Sequence, residues 1–485
     1  MQLLSGNLLL LSSILIFAAI LVTKVGTRFG VPSLLLFLIL GMIVGEDGLG
    51  VHFSDYHVAE SIGHFAMTII LFSAGLETSL SDTRPIMRQG ALLSTLGVLL
   101  TSLLTGFFIY LVSGKMFAVS LLGSFLMASV MGSTDSASVF SILQSKKMRL
   151  RENLGPLLEL ESGSNDPMAY TLTLILVQAV KAFNDSVGTG SIILSGIWVL
   201  LLQIAAGVAV GLAVGFGASL LLDKIKLSGG ALYSILILSV GFFANGVAGL
   251  LGGNGLLALY IAAITIGNRT KLPFKKEILH FFDGMTWLMQ LVMFLMLGLL
   301  ARPSQMLHVL LPALLIGLFM MFVSRPASVF LCLLPFRDLS IRAKTFISWV
   351  GLKGAGPILF AIAPVVAGLE RSADMFNMVF LITLFSLLLQ GMSLGSVSKL
   401  LKLSYEEDPK AETFGMEIPD EMGMLRDHLV TEEDLANGKT LREMGLPHGI
   451  RVMMVRRGDK FLVPHGSMVL EEGDRLVIIM GDSDD

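Results

Sequence analysis

The chain has 485 residues, of which 54% are hydrophobic and 15% are charged, and its mean hydropathy is +0.79. This composition excludes an ordinary soluble domain and indicates a protein that crosses a membrane several times. The formal net charge of -3 gives no sign of a nucleic-acid partner, and a single cysteine, Cys332, excludes an intramolecular disulfide framework.

Thirteen apolar segments are long enough to cross a bilayer, and several exceed the minimum, which predicts tilt or interruption. Their approximate limits are 7–23, 31–47, 60–77, 89–112, 117–143, 153–180, 192–222, 229–250, 253–268, 282–301, 306–333, 342–368 and 374–398. Lysine and arginine concentrate in alternate loops: four lie between residues 146 and 151, after the fifth segment, whereas Lys181 alone follows the sixth. By the positive-inside rule, we expect the N-terminus outside and the C-terminus in the cytoplasm.

The fifth segment contains the polar motif GSTDSASVF, in which Thr134 and Asp135 interrupt an otherwise apolar run. Small polar residues beside a carboxylate predict a broken helix whose freed backbone groups face an ion. The alternative is a polar helix end near the cytoplasmic surface, because Lys146 follows. A carboxylate at membrane depth is costly, which favours the broken helix.

The sixth segment contains LELESGSNDPMAY, an oxygen-rich stretch inside a membrane span. Glu161 and Asn165 are four residues apart and share a helix face, with Ser162 and Asp166 adjacent to each in turn. Carboxylate and amide oxygens suit a hard cation, and the same carboxylates can take protons. The stretch therefore predicts a site where a monovalent cation and a proton compete. Asn165 can orient Asp166 without adding a second proton site.

Two basic residues also lie inside apolar segments. Arg325, in the eleventh, needs a carboxylate partner, for which Glu161 is the candidate; we favour a structural ion pair over a direct role in transport. Lys353, in the twelfth, lies in the glycine-rich stretch GLKGAGP, which predicts unwound backbone. Lys353 could neutralise helix-end carbonyls there in place of a metal ion, or it could extend to the cytoplasmic edge.

The fifth and twelfth segments occupy corresponding positions if segments 1–6 and 8–13 are repeats with the seventh as a linker. Two broken helices in corresponding halves indicate a transporter site.

After residue 402 the composition becomes polar. Residues 403–423 read as a linker, and 424–485 as a small soluble α+β domain. Strands are predicted near 451–456, 460–463 and 475–480, between Gly-Asp turns. The stretch 420–445 has a more helical pattern, with an apolar turn near Leu441.

The motifs ESGSNDPMA, GSTDSASVF, VSRPASVF, GLKGAGP and LFSAGLE resemble those of the bacterial monovalent cation/proton antiporters, the NhaP-type exchangers. The resemblance covers about residues 1–400. It implies thirteen helices in two inverted repeats with broken crossing helices, a core domain that moves against a dimerisation domain, and a homodimer. The predicted fold class is thus an all-α polytopic membrane protein with a small C-terminal α+β domain.

The resemblance also implies roles for individual residues. The ion and proton site would comprise Asp166, Asp135, Asn165, Thr134 and Ser162, with Asp166 as the transporting carboxylate and Asn165 as the mark of the electroneutral branch. Glu161 and Arg325 would form the family's structural ion pair. Lys353 stands where the family usually has arginine, so the charge is kept and the bidentate geometry is lost.

The stretch GIRVMMVRRGDKFLVPHGSMVLEEGDRLVIIMG resembles the TrkA-C (RCK C-terminal) regulatory module. No GxGxxG motif precedes it, so a companion Rossmann domain is not expected. The resemblance implies dimerisation, a small regulatory ligand such as a nucleotide, and potassium as the transported ion.

We therefore expect three parts: residues 1–402 as a transmembrane exchanger domain, 403–423 as a linker and 424–485 as a cytoplasmic regulatory domain. The expected function is electroneutral K+/H+ antiport in a bacterial inner membrane, with Na+/H+ antiport as the alternative. A ligand-gated K+ channel is disfavoured because no TVGYG-type filter occurs; a non-transporting sensor is a third reading. We expect no enzymatic activity, no cofactor and no metal besides the transported cation.

Overall fold

The computed structural model describes residues 8–29, 31–116, 119–146, 148–184, 188–269, 272, 274–406, 425–431, 434–435, 438–444, 450–458 and 460–480. The chain divides into two compact units, Met1–Tyr405 and Glu406–Asp485.

The first unit is almost entirely helical. Its helices are α1 (Leu8–Phe29), α2 (Ser33–Val44), α3 (Tyr56–Glu77), α4 (Leu80–Thr83), α5 (Met87–Leu92), α6 (Val98–Met116), α7 (Leu121–Val130), α8 (Ser136–Ser145), α9 (Leu154–Asn184), α10 (Thr189–Lys224), α11 (Gly230–Leu250), α12 (Gly255–Arg269), α13 (Lys275–Leu300), α14 (Pro303–Met306), α15 (Leu310–Phe319), α16 (Arg325–Cys332), α17 (Ile341–Trp349), α18 (Ala355–Phe360), α19 (Ile362–Val366), α20 (Ser372–Ser386) and α21 (Met392–Leu400). Short 3-10 turns lie at Arg84–Ile86 and Leu307–Val309, and π turns at Leu93–Gly97, Met320–Ser324 and Leu387–Gly391. Strands β1 (Met148–Leu150) and β2 (Ser404–Glu406) form a two-stranded sheet.

Within the described residues, seven helical stretches are long and apolar enough to span a membrane, and five shorter apolar helices accompany them. The prediction of a multi-pass helical membrane protein is confirmed. The count of thirteen spans stays a prediction, as do the inverted repeats.

Both predicted helix interruptions are present. One lies between α7 and α8 and the other between α17 and α18. The two extended stretches meet, because the Asp135 amide donates to the Leu352 carbonyl over 2.9 Å. Glycine permits this approach: a Cβ on Gly354 would lie 2.1 Å from Asp135 Oδ2, and one on Gly356 would lie 2.9 Å from Ser133 Oγ. The glycines that the sequence places around Lys353 therefore make room for the crossing.

The helices of this unit pack in two groups. In the first group α13 packs on α2 and α3, and α12 packs on α3, α10 and α11. In the second, α9 packs on α5 and α7, and α15 packs on α6 and α20. Helix α9 also contacts α10 and α12, so it lies where the two groups meet.

The second unit contains a four-stranded antiparallel sheet of β3 (Leu425–Leu429), β4 (Ile450–Arg457), β5 (Lys460–Leu462) and β6 (Arg475–Met480). The strand order is β3-β6-β4-β5, with a register shift in β4 between Val452 and Met454. The three strands predicted from the sequence are confirmed.

The helical character expected for residues 420–445 is wrong in its described part, where Leu425–Leu429 is a strand and residues 441–444 form a turn. The strand pairs with β6, from Leu425 opposite Ile479 to Leu429 opposite Arg475. Such pairing satisfies backbone groups through a partner about fifty residues away, which local propensity does not reveal.

Candidate ion-binding site

A cavity of about 250 Å³ lies where α3, α9 and α13 meet the two helix interruptions. Its polar lining from the interruption and from α9 comprises Ser133, Thr134, Asp135, Ser136, Ser162 and Asp166. The exposed residues Glu77 and Glu159 line it too, so the cavity reaches the surface where α3 ends and α9 begins. That end of the unit carries the basic loops.

Asp166 lies on α9, directly before the internal proline Pro167. Its Oδ1 accepts a hydrogen bond from the Ser133 hydroxyl, in the interruption between α7 and α8. Asp166 is half-buried and faces the cavity, so a cation or proton can reach its carboxylate.

Ser162 and Asn165 hold the unwound backbone at Thr134. The Ser162 hydroxyl donates to the Thr134 carbonyl over 2.7 Å and accepts from the Ser136 amide over 3.1 Å. The Asn165 amide donates to Thr134 Oγ1 over 2.6 Å. Asn165 is completely buried and does not line the cavity. These contacts satisfy backbone groups that the interruption frees, and they leave Asn165 behind the site rather than inside it.

Asp135 is the residue directly before α8 and caps that helix. Its Oδ1 accepts from the Ser138 amide over 3.0 Å, and its Oδ2 accepts from the Ser138 hydroxyl. This is the usual N-cap arrangement, in which a carboxylate satisfies a free amide of the first helical turn. Both oxygens of Asp135 are therefore engaged within the protein, whereas Asp166 accepts one hydrogen bond among the described residues, from Ser133 to Oδ1.

Lys353 is 3% exposed and does not extend to the membrane edge. Its Nζ donates to the Ser133 carbonyl over 2.8 Å, and its backbone amide donates to Ser386 Oγ over 2.9 Å. The ammonium group thus contacts a carbonyl freed by the opposite interruption. This agrees with the interpretation in which Lys353 neutralises helix-end carbonyls, and not with the one in which it extends to the cytoplasmic edge. The same Ser133 that contacts Asp166 is anchored by Lys353.

Glu161 and Arg325 form an ion pair with 2.5 Å between Oε1 and Nη2, and their side chains are 2% and 6% exposed. Neither residue lines the cavity. Arg325 begins α16 directly after a π turn, and a Cβ on Gly351 would lie 2.8 Å from Arg325 Nε. The pair joins α9 to α16, which is the arrangement expected of a structural ion pair.

Residues 13–400 match the family described as sodium/hydrogen exchanger, transmembrane, which is most of the chain. This chain belongs to the sodium/hydrogen exchanger family. Residues 425–484 match the TrkA-C domain, so the resemblances read from both parts of the sequence are confirmed.

Curated relatives match along nearly the whole chain. The K(+)/H(+) antiporter NhaP2 of Shewanella baltica is 36% identical over 477 residues, which is 98% of this chain and 81% of the relative. The K(+)/H(+) antiporter NhaP of Alkalimonas amylolytica is 36% identical over 97% of this chain and 78% of its own length. Among solved structures, the sodium proton antiporter MjNhaP1 of Methanocaldococcus jannaschii shares the fold, with a TM-score of 0.68 and 20% identity over 80% of this chain and 97% of that one.

Sequence reasoning did not assign two serines of this exchanger's site. Ser133, which contacts Asp166 and Lys353, lies inside the quoted motif, but only the crossing of the two interruptions reveals both contacts. The contact with Ser138 could have been found, because an aspartate at an N-cap accepts from the amide two or three residues later once the helix start is known. Glu77 and Glu159 were also not assigned to the cavity, since their helix ends converge only in the fold.

Proposed function

We propose that this exchanger moves K+ against H+ by alternating access and that Asp166 binds the two ions in turn. The observation that carries the proposal is the set of partners of the carboxylates around the interruptions. Glu161 is held in a closed pair with Arg325, and both oxygens of Asp135 are bonded by Ser138 at the start of α8.

Asp166 is then left with one negative charge and one hydroxyl partner, beside a cavity. When the cavity closes, that charge must be matched, because an unpaired buried carboxylate is strongly destabilising. One proton or one monovalent cation satisfies the requirement equally. Only states with a bound proton or cation can therefore complete the alternating-access step. One cation is then exchanged for one proton, and the exchange is electroneutral.

Thr134 and Ser162 supply further oxygen atoms near the bound cation, and Asn165 fixes Thr134 without adding a charge. Transport should rise and then fall with increasing pH, because protons compete with the cation at low pH and become scarce at high pH.

The test is cation-induced dequenching of a pH-sensitive dye in proteoliposomes, with K+ and Na+ added separately and with the membrane potential free or clamped. We expect a K+ response that does not change when the potential is clamped. Asp166→Asn should abolish the response. Asp223→Asn, the same substitution at an exposed position near the end of α10, is the control and should exchange normally. Normal exchange by Asp166→Asn would contradict the proposal.

Na+/H+ exchange is the second candidate, because the family description names sodium and a curated relative, 27% identical over 79% of this chain, is the low-affinity Na(+)/H(+) antiporter NhaS1 of Synechocystis. A response to Na+ alone would favour it. K+ current without proton movement would instead indicate a channel.

The remaining parts of the proposal rest on membership of the family and on the positions of the basic loops. We place the protein in a bacterial inner membrane as a homodimer, with the N-terminus outside and residues 424–485 in the cytoplasm after a linker at 403–423. That domain regulates exchange by binding a small ligand such as a nucleotide. Calorimetric titration of the full chain with ATP, ADP and NAD+ tests ligand binding directly.

A further inference from the structure

Asn254 connects three helices at the level of Asp166. It precedes α12, is 6% exposed, and lies outside the ion-site residues discussed above. Its backbone amide donates to the Gln203 carbonyl of α10 over 3.0 Å. Its Oδ1 accepts from the Leu257 amide over 2.8 Å, which makes it the N-cap of α12.

The amide nitrogen of the same side chain reaches across to α9. Asn254 Nδ2 donates to the Pro167 carbonyl over 2.9 Å and to Thr171 Oγ1 over 2.5 Å. Pro167 follows Asp166 directly, and Thr171 is 1% exposed. An N-cap needs only the acceptor oxygen, so the two hydrogen bonds from the side-chain nitrogen are not part of the capping of α12.

A second contact lies one helical turn away on the same face of α9. A Cβ on Gly163 would lie 2.5 Å from the ring of Tyr260 in α12. Gly163, Pro167 and Thr171 are spaced four residues apart and form one stripe against α12. The Asn254 bonds and the Tyr260 contact thus hold α9 on both sides of the Asp166 level.

We propose that Asn254 is a positioning residue that fixes the Asp166 turn of α9 against α10 and α12 in the conformation whose cavity is accessible. Asn254 joins helices of the two packed groups, so its bonds to α9 favour one relative placement of those groups. This inference rests on the proposed exchange, since it concerns the state that takes up the cation from the cavity.

Loss of the two bonds should reduce the population of the accessible state, and the apparent affinity for the cation falls in proportion to that population. Asn254→Ser keeps an N-cap oxygen but is too short to reach α9. We expect its apparent KM for K+ on the cavity side to rise about tenfold, the size expected from two buried hydrogen bonds, with little loss of kcat. A defect in folding alone would lower the amount of active protein and leave KM unchanged.

Thr171→Val removes one of the two acceptors without touching α12, so it should raise KM by a smaller factor. The double variant should resemble Asn254→Ser, because the bond lost in Thr171→Val is already absent there. Asn245→Ser is the matched control: Asn245 Nδ2 donates to Thr68 Oγ1 of α3, inside the first helix group, and not to α9. Its KM should not change.

A readout independent of transport separates this inference from the proposed function. In a Cys332→Ala background, Ala74→Cys places the chain's sole thiol in the cavity lining. A membrane-impermeant methanethiosulfonate reagent, applied from the cavity side, should label it about tenfold more slowly when Asn254→Ser is added, the same factor as the change in KM. Unchanged labelling and KM, or equal changes in Asn245→Ser, would overturn the role of Asn254. Slower labelling in a chain that exchanges no ions would instead overturn the proposed function and leave Asn254 in its role.

Discussion

Replacing one member of the Glu161–Arg325 pair by a neutral residue should markedly lower the temperature at which the membrane unit unfolds. Each side chain is less than a tenth exposed and the charged atoms are 2.5 Å apart. Opposite charges even about 4 Å apart interact by roughly 4 kcal/mol at an effective dielectric constant near 20. Removal of one partner leaves a buried charge unpaired, for which losses of about 3–5 kcal/mol are typical. At roughly 2 °C per kcal/mol for a large chain, Glu161→Gln or Arg325→Gln should lower the apparent Tm by about 8 °C.

The double variant Glu161→Gln/Arg325→Gln removes both charges and should recover at least half of that loss. Thermal unfolding in detergent measures the cycle, and Glu159→Gln, an exposed carboxylate on the same helix, should leave the apparent Tm unchanged. The dye assay then tests transport, and the double variant should still exchange cations for protons. Additive losses of stability would refute the argument from charge pairing. A stable double variant without exchange would show that the pair takes part in transport.

Three further outcomes are expected. Asn165→Asp adds a second carboxylate beside the site, so exchange should become sensitive to membrane potential in the clamped-potential assay. Gly354→Ala places a Cβ 2.1 Å from a carboxylate oxygen of the α8 cap and should reduce exchange severalfold, whereas Gly246→Ala, with open space around its Cβ position, should not. In the C-terminal unit, the Thr431 backbone amide holds the pKa of Asp434 below its ordinary value of 3.8. The stability that this hydrogen bond contributes is present above pH 3.8 and is lost as the pH falls through the lowered pKa. Hydrogen exchange of the Thr431 amide, measured as a function of pH, follows this loss.

The parts of the site that were predictable from the sequence are those where membrane burial makes a residue costly. Asp166, Arg325 and Lys353 stand out because charged groups are rare within apolar spans. The two interruptions were predictable because glycine, proline and small polar residues cluster at them. Each of these signals is local, and each can be read without knowing the fold.

The parts that were not predictable depend on pairs far apart in the chain. The contact of Lys353 with the Ser133 carbonyl joins residues 220 positions apart, so the sequence left open whether the lysine turns inward or toward the membrane edge. The strand Leu425–Leu429 gains its partner from β6. Helix α9 continues through Pro167 to Asn184. Asn254 donates to the Pro167 carbonyl from the start of α12, and nothing near Pro167 in the sequence indicates this contact.

The hydroxyl of Ser133 explains how Asp166 can change its charge without a rearrangement of its surroundings. A hydroxyl donates to an ionised carboxylate and accepts from a protonated one, so the same pair of side chains suits both forms. Lys353 holds the Ser133 carbonyl and thereby fixes the hydroxyl that contacts Asp166. Asp135 also has a hydroxyl partner, on Oδ2, but its Oδ1 accepts from the Ser138 amide, so both of its oxygens are occupied at the start of α8. Of the two aspartates at the cavity, Asp166 is therefore the one that keeps an oxygen without a hydrogen-bond partner among the described residues, where a proton or a cation would bind under the proposed mechanism.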